Sequence, residues 1–190
     1  MSHSRSDVVE HALDVLDRYG LADLSMRRLA ADLDVRASAL YWHFPSKQAL
    51  LAAVADEVLR RGDRPVDGSW EDQVRGYAHA LRDAMLAYRD GGELVAAAHA
   101  FGLGEVDPGA RLEEILGDPV AAATVLYFVL GHVTDEQLAL QAGSAGAIDD
   151  DPLARADTFA DGLAIVVAGI AAQNVLSTSS RTGAHSTTGR

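Results

Sequence analysis

The stretch from Leu24 to Leu51 constrains this chain more than any other. Ser25 stands where a side-chain oxygen caps a helix. Leu29, Ala30 and Leu33 follow at helical spacing, which gives that helix one buried face. Asp34 is a residue type that tolerates a left-handed backbone, and apolar Val35 plugs the corner after it. A second helix turns Leu40 and Phe44 inward, four residues apart. Pro45 biases Phe44 away from helix, and Ser46 caps a third helix. Two short helices joined by a tight turn make a helix-turn-helix, whose second helix enters the DNA major groove.

The outward residues suit that task. Arg27, Arg28, Arg36 and Lys47 are placed to reach phosphates or bases. Tyr41, Trp42 and His43 offer flat surfaces with hydrogen-bonding groups, Ser38 adds a hydroxyl, and small Ala37 and Ala39 allow close approach to base edges. Arg27 is the best placed to read a guanine through two hydrogen bonds. On pattern alone the alternative is a helical hairpin whose aromatic residues are core.

At these residues the chain resembles the tetracycline-repressor (TetR) family. The run LSMRRLAADLDVRASALYWHFPSKQALLAAVADEVL carries the resemblance, with LYWHF followed by SKQALL as its most specific part. The likeness continues through SWEDQ, AYRDGGEL and LGHVTDEQ and spans most of residues 5–176, in the branch with a tetracycline-repressor-like C-terminal domain. Asp34 departs from the glycine usual in the family's turn. The resemblance implies that Lys47 contacts phosphate. It also implies that two long C-terminal helices pair with their two-fold mates as a four-helix bundle. Tetracycline repressors hold a magnesium-chelated drug through a His, a Glu and an Asn, and the matching positions here are Val95, Asp135 and Tyr77. Neither tetracycline nor an obligate magnesium ion is therefore expected, and no cofactor.

The fold class expected is all-α, with about nine to ten helices. Residues 1–62 form a helix-turn-helix DNA-binding domain, 63–176 a ligand-binding and dimerisation domain, and 177–190 a Ser/Thr/Gly-rich disordered tail. Apolar residues make up 48% of the 190, and helix formers outnumber β-branched runs. The absence of cysteine removes disulfides, thiolate metal sites and cysteine nucleophiles together, and suits a reducing cytoplasm. No signal peptide is visible, and no unbroken apolar run is long enough to span a membrane. The net charge of −12 divides unevenly. Residues 1–62 carry eight basic and nine acidic side chains, and 63–190 carry eight and nineteen. The acidity thus belongs to the second domain, so DNA is repelled except where the basic face docks.

Along the chain, 6–20 reads as a first helix capped by Ser4 or Ser6, with Arg5 before it either touching a phosphate or free in solvent. Residues 46–61 form a fourth helix, long enough to join reader to sensor. Gly62 to Gly68 is turn-rich. Ser69 caps a helix over 70–89, ended by Asp90, Gly91 and Gly92. Short helices follow at 93–101 and 109–116, and long ones at 120–142 and 153–176. Between the long pair lies an acidic loop whose Asp149, Asp150 and Asp151 read as solvated rather than as a cation site, since calcium loops space their ligands around a glycine.

Helices 70–116 are expected to enclose a ligand cavity lined by Tyr77, Leu81, Met85, Val95, His99, Phe101, Leu112, Ile115, Leu116, Tyr127, Phe128 and His132. Polar tips among apolar walls are how small-molecule pockets look, although each residue alone reads more readily as core than as a ligand contact. The two long apolar helices exceed what a monomer of this size needs to cover itself, so a homodimer is expected, reading a near-palindromic operator. The function expected is a ligand-responsive repressor released by a small, mainly apolar effector, in the cytoplasm and away from membranes. A helical-bundle enzyme and a ligand-independent DNA-binding scaffold are the competing classes. The enzyme lacks a Glu-x-x-His pair, a His-Glu-x-x-His and a glycine-rich phosphate loop.

Overall fold

The structure, a computed structural model, describes residues 3–147 and 152–183. Among the described residues there are nine α-helices and no strand. In chain order they are α1 (Arg5–Tyr19), α2 (Met26–Asp32), α3 (Ala37–His43), α4 (Lys47–Gly62), α5 (Trp70–Leu86), α6 (Gly91–Phe101), α7 (Pro108–Leu116), α8 (Pro119–Ser144) and α9 (Pro152–Gly183).

Local chemistry sets the helix starts. Ser4 and Asp7 form a reciprocal capping box at α1, and Ser69 and Asp72 form another at α5. Hydrogen bonds from these serines hold the Asp7 and Asp72 carboxyls below the usual aspartate range. Ser25 accepts from the Arg28 N–H at 3.2 Å, and Ser46 accepts from the Ala49 N–H at 3.0 Å. Asp107 and Asp118 cap α7 and α8, each followed by a proline in the first turn.

The first four helices pack around Leu13, Leu16, Leu24, Leu29, Leu40, Phe44, Leu50 and Val54, all buried. Six of them, Leu13, Leu16, Leu24, Leu29, Leu40 and Phe44, come from α1 to α3 or from just beside them. Such clustering of leucines on facing stripes is the main stabilising term for helices this short. Arg5 opens α1 and stacks over Phe44, its guanidinium carbon 4.9 Å from the ring centroid, while remaining exposed. In the second unit α8 lies at the centre, packed on α5, α6, α7 and α9.

Two boundaries differ from the sequence reading. Helix α5 ends at Leu86, and Gly91 and Gly92 open α6 instead of closing α5. The reason is close packing. A Cβ on Gly91 would run into the Met85 carbonyl, and one on Gly92 would lie 3.0 Å from both Gln137 and Val133 of α8. The Gln137 side chain fills the junction: it accepts the Gly92 N–H at 2.8 Å and donates to the carbonyls of Met85 and Tyr88. Helix α9 runs to Gly183, so of the tail expected over 177–190 the part to 183 is helix, and 184–190 lies outside the described residues. The acidic residues 149–151 also lie outside them.

Reader and core meet at two places besides the continuous α4. Asp90, held in the left-handed region at φ 56°, accepts the Leu21 N–H at 2.8 Å through one oxygen and the Gln141 side chain at 2.5 Å through the other. Arg61 of α4 pairs with Glu10 of α1 and Glu57, and donates to the Tyr88 hydroxyl at 2.9 Å.

The outer faces of the two long helices are uncovered. On α8, Val120, Thr124, Tyr127, Gly131 and Leu138 form one exposed stripe. On α9, Ala164, Ile165, Ala168, Gly169 and Ala172 form another, with Ile165 74% exposed. The window Ala154–Asn174 of α9 is long and apolar enough to cross a membrane by length and composition, although its apolar residues form no unbroken run of that length. Small and apolar side chains, broken by few charges, give the window that composition.

Candidate DNA interface and effector cavity

Helix α3 is held by its inner face alone. Leu40 and Phe44 are buried, and Val35 packs against the same core. Asp34 adopts φ 54°, the left-handed turn position where the family's glycine is replaced. With that corner made, Arg36, Ser38, Ala39, Tyr41 and Trp42 are exposed, and Ala37 and His43 are partly so. Trp42 is 90% exposed, an extreme value for the largest apolar side chain. These residues present one convex face, as a reading helix requires.

The cations around it divide. Arg27 is exposed and makes no ion pair among the described residues. Arg28 is engaged at home: it donates to Asp23 at 2.8 Å and lies 3.7 Å over the Tyr19 ring. A DNA contact by Arg28 would exchange these two partly exposed contacts for it. Lys47 sits in the first turn of α4, where unpaired backbone N–H groups already favour an anion.

The residues expected around one ligand cavity are dispersed. Leu81, Met85 and Leu112 are buried core side chains that line no cavity described here. Phe101 is exposed at the end of α6, and Tyr127 faces outward on α8, its ring 6.4 Å from that of His99. Leu116 is half-buried against the core. Tyr77 lines a separate cavity of about 210 Å³ with Asp63, Val66, Arg111 and Ile115, and burial pushes its phenol up to about 12. Phe128 and His132 belong to a ring cluster with Phe159 and His79 between α5, α8 and α9. Beside it lies the buried pair of Arg82 and Glu136, 2.9 and 2.5 Å apart through two nitrogens. His132 Nδ1 is buried without a hydrogen bond, 3.8 Å from a Glu136 oxygen. Burial holds the His132 pKa below the ordinary histidine value; Glu136 opposes that shift and Arg82 adds to it.

Only Val95 and His99 of the expected set line the cavity between α4, α6 and the loop that follows α6. The cavity holds about 160 Å³. Its other walls include Ala55, Asp56, Leu59, Ala98, Gly104 and Val106, which sequence reasoning missed. Asp56 is 3% exposed. Its oxygens accept the Glu105 N–H at 3.0 Å and the Val106 N–H at 2.9 Å. A signal was present: Asp56 lies on the stripe Ala52, Ala55, Leu59 of an apolar helix, and a carboxylate there must find donors. Asp135, at the position of the drug-binding glutamate, is exposed and paired with Arg155 at 3.0 Å. Among the described residues no group of three or more His, Asp or Glu is gathered as a metal site.

Comparison with known proteins agrees with this geometry. Residues 8–54 match the family described as bacterial regulatory proteins, tetR family, and 63–157 match the tetracyclin repressor-like C-terminal domain. The tetracycline repressor class A from transposon 1721 of Escherichia coli is 33% identical over 196 residues, covering 89% of this chain and 91% of that protein. BioQ of Mycobacterium smegmatis is 42% identical and superposes with a TM-score of 0.84 over 90% of this chain and 98% of its own. A BioQ bound to its natural double-stranded DNA operator is 40% identical, with a TM-score of 0.75 over 90% of this chain and 99% of that one. The chain belongs to the tetR family of bacterial DNA-binding transcriptional regulators.

Proposed function

We propose that this protein is a cytoplasmic, homodimeric repressor that reads a near-palindromic operator with α3 and is released by a small, mainly apolar effector bound beside α4. It has no catalytic role and no membrane partner. The observation that carries the reading is the exposed face of α3 anchored by Leu40 and Phe44, with Trp42 and Tyr41 presented outward. Arg27 is the base-reading residue, Arg36, Ser38, Ala39 and His43 complete the contact surface, and Lys47 with the α4 N-terminus binds phosphate. The α8 and α9 stripes are the dimer interface, which sets the two readers about one helical turn apart.

An operator selected from random duplexes tests this. Arg27→Ala should cost about 1–3 kcal/mol on the selected operator and relax one position. Lys47→Ala should weaken all duplexes alike and lower the salt slope by about one unit. Equal losses on operator and random DNA for Arg27→Ala would remove its reading role.

The cavity favours a second reading, in which DNA affinity answers to no ligand. Its 160 Å³ lies below the roughly 300–1,000 Å³ of ordinary ligand sites. Under that reading, no small molecule that binds the protein changes its operator affinity.

A further inference from the structure

The cavity beside α4 has one wall that can move. Leu59, Val95 and Ala98 are buried helix residues fixed by the core. The opposite wall is the segment from Gly102 to Asp107, which is mostly exposed. It is held to α4 at Asp56. Both Asp56 oxygens take backbone N–H groups of this loop, and Gly104 comes so close that a Cβ there would lie 2.9 Å from an Asp56 oxygen. Outside this clasp Arg60 pairs with Glu105 at 3.1 Å and stands 3.9 Å from Asp56.

A molecule larger than the present cavity enters only if this loop moves outward. That movement strips two donors from a buried carboxylate, and a buried charge without donors is strongly disfavoured. Arg60, 3.9 Å away, is already shared with Glu57 and Glu105, so an entering molecule that brings donors of its own is favoured over one that does not. A hydroxyl brings one. A protonated amine brings up to three and an opposite charge. A carboxylate brings none and meets Asp56 and Asp107 in the cavity lining.

We infer that Asp56 is the group that reads the effector, and that the effector carries a cationic nitrogen with N–H donors on an otherwise apolar body. The inference rests on the ligand-responsive reading above and names the chemistry of its ligand. It also gives the ligand a route to DNA. Asp56 and Lys47 share α4, so exchanging loop amides for ligand amines on Asp56 frees the core end of the helix that carries the phosphate contact at its other end.

Benzylamine, benzyl alcohol and benzoate test it on the full-length dimer, since they share a ring and differ in the head group. Titration followed by amide spectroscopy should give benzylamine about tenfold or greater preference over benzyl alcohol, with benzoate weakest. Saturating benzylamine should accelerate exchange of the Glu105 and Val106 amides. Asp56→Asn should abolish the preference. Gly104→Ala keeps the carboxylate and loosens the clasp, so it should strengthen benzylamine binding several-fold by removing the opening cost. Benzyl alcohol or benzoate binding as well as the amine, or an amine preference intact in Asp56→Asn, overturns the inference and leaves the ligand-responsive reading standing. Should Asp56→Asn fail to fold, unchanged or weaker benzylamine binding by Gly104→Ala overturns it. If none of the three binds, the cavity reading falls and the inference with it.

Discussion

Gly169→Glu separates the stability of the protomer from that of the dimer. A Cβ at Gly169 meets nothing within 4 Å, so the isolated chain accommodates the side chain. Helix propensity even favours glutamate over glycine in a helix interior, by roughly 0.5 kcal/mol or more. The variant should thus melt no lower than the wild type at dilutions where both are monomers, since dimerisation itself adds stability. In the dimer proposed here, the same position faces the partner along a stripe of alanines and Ile165. A charge buried there without a partner costs about 3 kcal/mol, at the low end for an uncompensated buried ion. Two-fold symmetry doubles it. About 6 kcal/mol is roughly a 10⁴-fold weaker dimer, at 1.4 kcal/mol per factor of ten. Micromolar samples should be monomers by light scattering and sedimentation, and operator binding should be lost because one reader spans only one half-site. A variant that stays dimeric within tenfold of the wild-type dissociation constant would place the interface elsewhere. A variant that melts several degrees below a wild type diluted to monomer would show that Gly169 is not a free surface.

Two further outcomes follow from single residues. Asp34→Gly should stabilise the reader by a few tenths to about 1 kcal/mol in denaturant titration, because glycine adopts the left-handed turn without Cβ strain; a loss of stability would show that the Asp34 side chain contributes more than the strain it carries. His132 has a folded-state pKa depressed below its unfolded value, so the unfolded chain binds the extra proton more readily. Stability should therefore be full above about pH 7 and fall as pH drops through the unfolded pKa near 6.5. His132→Gln should flatten the melting profile in that window, and an unchanged slope would refute the burial argument.

The reading motif was legible because its signals are local. Ser25, Asp34, Leu40, Phe44 and Ser46 each act within four residues of their partners, and each stands as its chemistry requires. The cavity was not legible in that way. Stripes on α5, α6 and α7 say which residues are buried, but burial alone does not separate core from cavity wall. Leu81, Met85 and Leu112 packed against neighbours, whereas Asp56 and Val106, about fifty residues apart in sequence, came together at the wall. Gly91 and Gly92 misled for a related reason. Glycines read as helix ends, yet these two are needed where α6 crosses Met85 and Gln137, a demand set by distant residues. Arg28 likewise looked unpaired until its neighbours Tyr19 and Asp23 were placed beside it.

The paired grip of Asp90 has a mechanical consequence. A helix that only joined two bodies would transmit a push along its axis and little else. Here the head is pinned to the core a second time, where the Leu21 N–H meets Asp90, and Asp90 is itself tied to Gln141 of α8. A body fastened at a pin and driven at a distance from it must swing. A displacement at the Asp56 end of α4 therefore turns the head about the Asp90 pin, with the pin as fulcrum and α4 as the driven arm. In the dimer proposed here each head would swing about its own fulcrum, and the two swings together would alter the spacing between the reading helices.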